Sequence, residues 1–157
     1  MRHAKSSWDD ASVPDRGRPL NHRGKRVAPL VGKLMRERGF LPELIISSPA
    51  ERARQTAYLV ADACTFAITV EFDERIYEAN PSRLLDVTGG ITDGISSAML
   101  VGHNPGMEGF IWHLTGTLEP MPTASVAILR LDIEKWADIR DGCGAVADLL
   151  RPKDEDL

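Results

Sequence analysis

Two histidines and three arginines are the residues of this sequence whose types and placement could do chemistry. His3 follows Arg2 at the start of the chain, and His103 sits within Gly102-His103-Asn104-Pro105-Gly106. A neutral imidazole is a competent nucleophile and proton carrier near pH 7. Arg2, Arg18 and Arg52 add guanidinium forks, which match phosphoryl oxygens two at a time. Gly102 allows close backbone approach, and a helix opening at Pro105 would aim free N–H groups at an anion. Together these residues suggest binding and transfer of a phosphoryl group. Singly, each has an ordinary reading. Arg52 could be a surface arginine paired with Glu51, and a lone histidine is commonly structural or solvated, the reading given to His22 and His113.

The elements around them decide whether they can meet. Residues 9–18 are polar and punctuated by Pro14 and Gly17, so they read as a loop whose charges are solvated unless the fold gathers them. Val27, Leu30, Val31 and Leu34 fall at helical spacing between about Asn21 and Arg38, with Pro29 as a possible kink and Gly39 as a stop. Residues 44–48 read as a buried strand, residues 49–63 as a helix, and 66–72 as a second strand. A short helix from Asn80 to Gly89-Gly90, a strand over 97–101 and a helix from Pro105 to about Leu114 follow. Residues 125–131 and 145–150 are the last strands, with a helical piece near Lys135-Trp136, and 151–157 reads as an exposed tail. Strands alternating with helices predict an α/β fold with a mostly parallel central sheet and helices on both faces. Ligand sites of such sheets lie beyond the C-terminal ends of the strands. Ser47-Ser48 and Gly102-His103-Asn104 are at such ends, and Arg2-His3 would be too if a strand preceded it.

In this arrangement the sequence resembles the histidine phosphatase superfamily, and within it the small phosphohistidine phosphatase branch. The segments that carry the resemblance are Arg2-His3-Ala4-Lys5-Ser6, Ser47-Ser48-Pro49-Ala50-Glu51-Arg52-Ala53-Arg54-Gln55-Thr56-Ala57, and Val101-Gly102-His103-Asn104-Pro105-Gly106, with Arg18-Pro19-Leu20 and Arg23-Gly24 in support. The resemblance implies a phosphoglycerate mutase-like fold over residues 1–157 as one domain. It implies that His3 is the nucleophile and forms a transient phosphohistidine that water hydrolyses. Arg2, Arg52 and His103 would hold the phosphoryl oxygens, with Arg18 and Asn104 as further phosphate-binding candidates. Glu78, in a segment similar to the one where larger members keep an acidic residue, is the candidate proton donor; a phosphohistidine leaving group would make it dispensable. No metal or other cofactor is implied, since the arginines supply the charge a magnesium ion would bring.

Two departures stand out. Ala4 replaces the family's more common glycine, adding one methyl group to the pocket. The apolar strand that family members place ahead of the Arg-His pair is not in the sequence, so the first central strand looks truncated. A frayed terminus cannot hold a nucleophile to within about 0.5 Å, so the expectation is that the native chain begins several apolar residues upstream.

Bulk properties narrow the partners. Hydrophobic residues at 43% and charged residues at 27% indicate a globular chain. A net charge of −4 argues against a general nucleic-acid binder, so any anion site must be local. Two cysteines without CxxC spacing fit a reduced, cytoplasmic protein, and no apolar run is long enough to cross a membrane. A monomer is the default for this size. The expected substrate is a phosphorylated protein, carrying phosphohistidine, or a small phosphoester. A catalytically silent phospho-ligand binding module is the alternative from another class, and a phosphosugar mutase a third reading, disfavoured by the lack of long insertions.

Overall fold

A computed structural model describes residues 1–64 and 67–157. Apolar runs bounded by proline and glycine become short buried strands, and the amphipathic stretches between them become helices. α1 (His22–Glu37) is capped by Asn21, whose side chain accepts from the Gly24 N–H, and it runs through Pro29. β1 (Leu44–Ser47) is fully buried and is followed by α2 (Glu51–Cys64). β2 (Thr69–Phe72) lies within the strand expected over 66–72; Phe66 falls outside the described residues. α3 (Pro81–Gly89) has Asn80 as its cap, and β3 (Ala98–Val101) leads into α4 (Gly106–Thr115), which ends at Gly116 in the left-handed conformation. β4 (Val126–Leu131) and β5 (Gly144–Leu150) close the order.

β2, β1 and β3 form a parallel sheet in that spatial order, and β4 and β5 pair antiparallel. Alternation along the strands sorts the core into two layers. Ile45, Met99 and Val101 pack with Val27, Val31, Ala57 and Val60 of α1 and α2. Leu44, Ile46 and Leu100 pack with Leu84, Val87, Phe110 and Leu114 of α3 and α4. The expected α/β sheet with helices on both faces is therefore present.

What joins β3 to β4 is the start of the chain. Arg2 bridges Gly102 in parallel; the His3 N–H donates to the Gly102 carbonyl and the Gly102 N–H to the Met1 carbonyl, both at 3.0 Å. On its other side the Arg2 N–H donates to Ser125 O at 3.0 Å and the Ala124 N–H to His3 O at 3.1 Å. Met1 is 4% exposed, and its amino group donates to Leu100 O at 2.7 Å. This corrects the expectation of a frayed terminus: four backbone bonds fix Met1, Arg2 and His3 between the ends of β3 and β4. Beyond Met1, the facing edges of β3 and β4 border a groove of about 720 Å³ lined by residues such as Met1, Leu100, Met121 and Ile128.

Residues 151–157, expected as an exposed tail, are exposed at Lys153, Asp154 and Asp156 but docked elsewhere: Pro152 is buried, Arg38 Nη2 donates to Glu155 Oε2 at 2.6 Å and Leu157 packs against the first core layer. No helix among the described residues is long and apolar enough to cross a membrane.

Candidate active site

The loops at the C-terminal ends of β1 and β3, together with the first residues of the chain, bring the chemistry-bearing side chains to one place. The rings of His3 and His103 are 5.1 Å apart between centroids, tilted by 54°. Both residues owe their position to short backbone contacts. α1 reaches the His3 segment because residue 24 is glycine: a Cβ there would lie 2.2 Å from Lys5 O. The Asn21 N–H then donates to that carbonyl at 2.9 Å. At the other loop, a Cβ on Gly106 would lie 2.2 Å from Ala79 O, so glycine lets α4 begin against Ala79 three residues after His103.

The segment around Arg52 is a positioning device as well as a source of charge. Thr56 Oγ1 donates to Arg52 O at 2.7 Å and accepts from the Ala4 N–H at 3.0 Å, tying α2 to the residue after His3. Gln55 Oε1 accepts from the Leu20 N–H at 2.8 Å, which fixes the chain just beyond Arg18. Ala4 is completely buried, so its methyl group is part of the packing beneath the site.

The imidazoles are set up differently. His3 Nδ1 lies 2.7 Å from the carbonyl oxygen of Ala4. A carbonyl only accepts, so Nδ1 carries the ring proton and the neutral ring leaves Nε2 as a lone pair. Burial pushes the His3 pKa down to about 3; the bond to Ala4 opposes this, and His103, Arg52 and Arg2 add to it. His103 Nε2 is 2.8 Å from Ser48 Oγ, which already accepts from the Ala50 N–H at 3.2 Å. Burial, then the charge of Arg52, lowers His103 to about 4, while Asp15 opposes the shift.

Of the arginines, Arg2 donates from Nη1 to Met121 O at 3.0 Å, and burial lowers its pKa while Glu108 raises it. Arg18 is 7% exposed. It donates from Nε to Asp15 Oδ1 and from Nη1 to Ser6 Oγ and Ser7 O, and stacks on Trp8 with its guanidinium 3.4 Å from the ring centroid. Arg52, 6% exposed, donates from Nη1 and Nη2 to the main chain and carboxylate of Asp15. Three buried nitrogens at this site make no hydrogen bond: Arg2 Nε, Arg52 Nε and His103 Nδ1. Unpaired polar atoms of this kind are rare inside a protein, and all three belong to residues whose charge acts on His3, as expected where a ligand's oxygens would go.

The structure places the remaining candidates less centrally. Asn104 spends both amide protons, on Glu108 Oε1 at 2.8 Å and Met121 O at 3.1 Å, leaving Oδ1 unpaired. Flipping the amide would set an acceptor against two acceptors, so Asn104 braces the 117–123 loop and has no donor free for phosphate. Glu78 is exposed and holds φ 53°, a left-handed conformation unusual for glutamate, and no hydrogen bond to its side chain is formed among the described residues. His22 is exposed at the start of α1, and His113 pairs with Asp141 at 3.1 Å. Among the described residues no group of three or more His, Cys, Asp or Glu side chains is placed to hold a metal ion.

Sequence reasoning missed Asp15, Tyr77 and Glu108, and placed Ser48 at a strand end without giving it a role. Tyr77 and His103 form a T-shaped ring pair with centroids 5.6 Å apart, and the Tyr77 hydroxyl donates to Asp15 Oδ2 at 2.7 Å. Asp15 carried one usable signal, its spacing of three residues ahead of Arg18 in a turn-forming stretch.

Comparison with known proteins agrees with this geometry. Residues 1–88 match the family model of the histidine phosphatase superfamily, branch 1. The uncharacterized protein Rv1276c of Mycobacterium tuberculosis is 32% identical over 165 aligned positions, covering 98% of this chain and all of that one. A crystal structure from Agrobacterium tumefaciens, provisionally described as the phosphohistidine phosphatase SixA, superposes with a TM-score of 0.82 at 30% identity, over 97% of this chain and 95% of that chain. The protein histidine phosphatase SixA complexed with tungstate shares the fold, with a TM-score of 0.83 at 23% identity over 99% and 96% of the two chains. With its paired imidazoles, its arginines and this fold, the chain belongs to the histidine phosphatase superfamily, branch 1, on the SixA-like side, and is a phosphatase.

Proposed function

We propose that the protein removes the phosphoryl group from phosphohistidine on a protein, or from a small phosphoester, by way of a covalent intermediate on His3. The observation that carries this reading is the hydrogen bond from His3 Nδ1 to Ala4 O, which leaves the Nε2 lone pair free, with Arg52 and Arg2 close enough to act electrostatically on the ring. In the first step the Nε2 lone pair attacks phosphorus, an N–P bond forms, and the bond to the leaving group breaks with its electron pair. In the second, water attacks phosphorus, the N–P bond breaks, and Nε2 recovers its lone pair while inorganic phosphate leaves. Two transfers through a good nucleophile replace one harder hydrolysis.

Arg2 and Arg52 offer their Nε–H groups to the phosphoryl oxygens, where charge sits in the transition state. Ser48 Oγ can give its proton to His103 Nε2, since it accepts from Ala50; the His103 ring then carries its own proton on Nδ1, as a third donor. Arg18 contributes positive charge beside them. The arginines supply the neutralisation that a metal ion gives elsewhere. For an ester substrate, Glu78 at the rim is the candidate to protonate the leaving oxygen.

A protein-borne substrate is favoured by the rim. Trp8 is 72% exposed and stacks on Arg18, so apolar surface is offered beside the site. Turnover of a phosphohistidine-bearing protein should therefore exceed that of small phosphoesters in kcat/KM. A clear preference for a small ester would sink the protein-substrate reading.

A further inference from the structure

Asp15 receives more hydrogen bonds from the site than any residue assigned to catalysis, although its carboxylate is itself an anion. Its carbonyl oxygen accepts from Arg52 Nη1 at 2.7 Å. Its Oδ2 accepts from Arg52 Nη2 at 3.0 Å and from the Tyr77 hydroxyl at 2.7 Å, and its Oδ1 accepts from Arg18 Nε at 3.2 Å. A carboxylate here could do one of two things. It could occupy the place of a phosphoryl group and be displaced on binding, or it could hold the arginine that binds one.

The partners of Arg52 distinguish these. An occupant would grip the terminal fork with both oxygens of its carboxylate, as a phosphoryl group does. Here Nη1 is held instead by the main-chain carbonyl of Asp15, fixed in the 15–17 turn, Nη2 by Oδ2, and the buried Nε has no partner. Arg52 also lies in the first turn of α2, where a positive charge opposes the helix dipole, so an anchoring anion is needed to keep it in place. We propose that Asp15 is a positioning residue of the phosphate site: it clamps the two terminal nitrogens of Arg52, links them to Arg18 and Tyr77, and leaves Arg52 Nε as the donor offered to the phosphoryl group. Through Tyr77, whose ring packs T-shaped on His103, the same carboxylate couples the arginine to the second imidazole. The hydrogen bond from Tyr77, followed by those from Arg52 and Arg18, holds the Asp15 carboxyl down at about 2, so the clamp is ionised throughout the working pH range.

This inference rests on the proposed phosphatase site, and its test separates the two. Tungstate, a phosphate-like oxyanion, is titrated as a competitive inhibitor of the unaltered protein and of Asp15→Ala, Asp15→Asn and Tyr77→Phe. In Asp15→Ala the inhibition constant for tungstate should rise and kcat fall, together by about 10²-fold, the scale of losing a well-placed group. Asp15→Asn, which keeps the main-chain carbonyl and one side-chain acceptor, should recover part of both, and Tyr77→Phe should shift them less in the same direction. Thermal midpoints are measured in parallel, and if Asp15→Ala does not fold, the Asn and Phe variants decide. Tighter tungstate binding in the Asp15 variants would make Asp15 an occupant and overturn the proposal, as would unchanged inhibition. If the unaltered protein does not bind tungstate, the phosphatase reading fails and takes the inference with it.

Discussion

Thr56 Oγ1 links the two halves of the site, donating to Arg52 O at 2.7 Å and accepting from the Ala4 N–H at 3.0 Å while completely buried. Valine matches threonine in shape but supplies no acceptor. Thr56→Val therefore strands the buried Ala4 N–H, at a cost of about 1–3 kcal/mol. The denaturant midpoint should fall accordingly, with turnover falling too because Ala4 adjoins His3. An unchanged midpoint would show that the bond contributes nothing.

Arg52 uses all three of its nitrogens in this account, two on Asp15 and one for the phosphoryl group. A lysine ammonium cannot reproduce that planar fork. Arg52→Lys, despite keeping the charge, should lose about 10²-fold or more in kcat, the scale of removing one preorganised transition-state donor. Activity within a few-fold of the unaltered protein, in steady-state assays on an aryl phosphate, would mean that charge alone suffices.

These two arginine-and-threonine contacts also show what the sequence could and could not reveal. Arg52 and His103 were legible because each follows a short apolar strand and opens a helix, a punctuation that places them at one sheet edge. Thr56 and Gln55 were visible as letters of the same segment, but their work is to bind Ala4 and Leu20, contacts that no spacing within α2 predicts. Asp15 lay in a polar stretch whose charges could equally have been solvated; only the turn over residues 15–17 aims it at Arg52. Asn104 was placed correctly beside His103, yet its amide is spent on Glu108 and Met121, a loop contact set by tertiary packing. Arg2-His3 read as poorly anchored because the backbone partners that fix it, Gly102, Ala124 and Ser125, are about a hundred residues away in sequence.

The two imidazoles should titrate far below the ordinary histidine range. His3 is lowered to about 3 and His103 to about 4, in each case chiefly by burial. Unfolded histidines titrate near about 6.5. The unfolded chain thus takes up protons first, so the stability contributed by keeping both rings neutral is complete above about 6.5 and is lost as the pH falls toward 4 and then 3. In NMR titrations of the ligand-free protein, the ring C–H signals of these two residues should stay flat from pH 8 to 5. A midpoint near 6.5 for either would contradict the buried, neutral pair.

The Met1 amino group offers a test of the sheet. Burial lowers its pKa to about 5, against 8.0 for a free amino group, and it donates to Leu100 O. In protein expressed from Met1, stability should decline as the pH drops from 8 to 5, because the unfolded amino group binds a proton that the folded one resists. Adding five apolar residues ahead of Met1 would supply about 17 Å of strand to the groove between β3 and β4. That extension should abolish this pH dependence and raise the melting temperature by more than about 5 °C, since each buried aliphatic side chain contributes about 1.5–3 kcal/mol. An unchanged melting temperature would show that the groove does not take a strand.

The most direct test of the central claim is to catch the phosphoryl group on His3. Protein mixed with labelled substrate and quenched in alkali, where a phosphoramidate survives, is digested and the modified peptide sequenced by mass spectrometry. A phosphoryl group on His3, absent in His3→Ala together with turnover, is the predicted result. Full turnover by His3→Ala, or label found on His103 in its place, would contradict it.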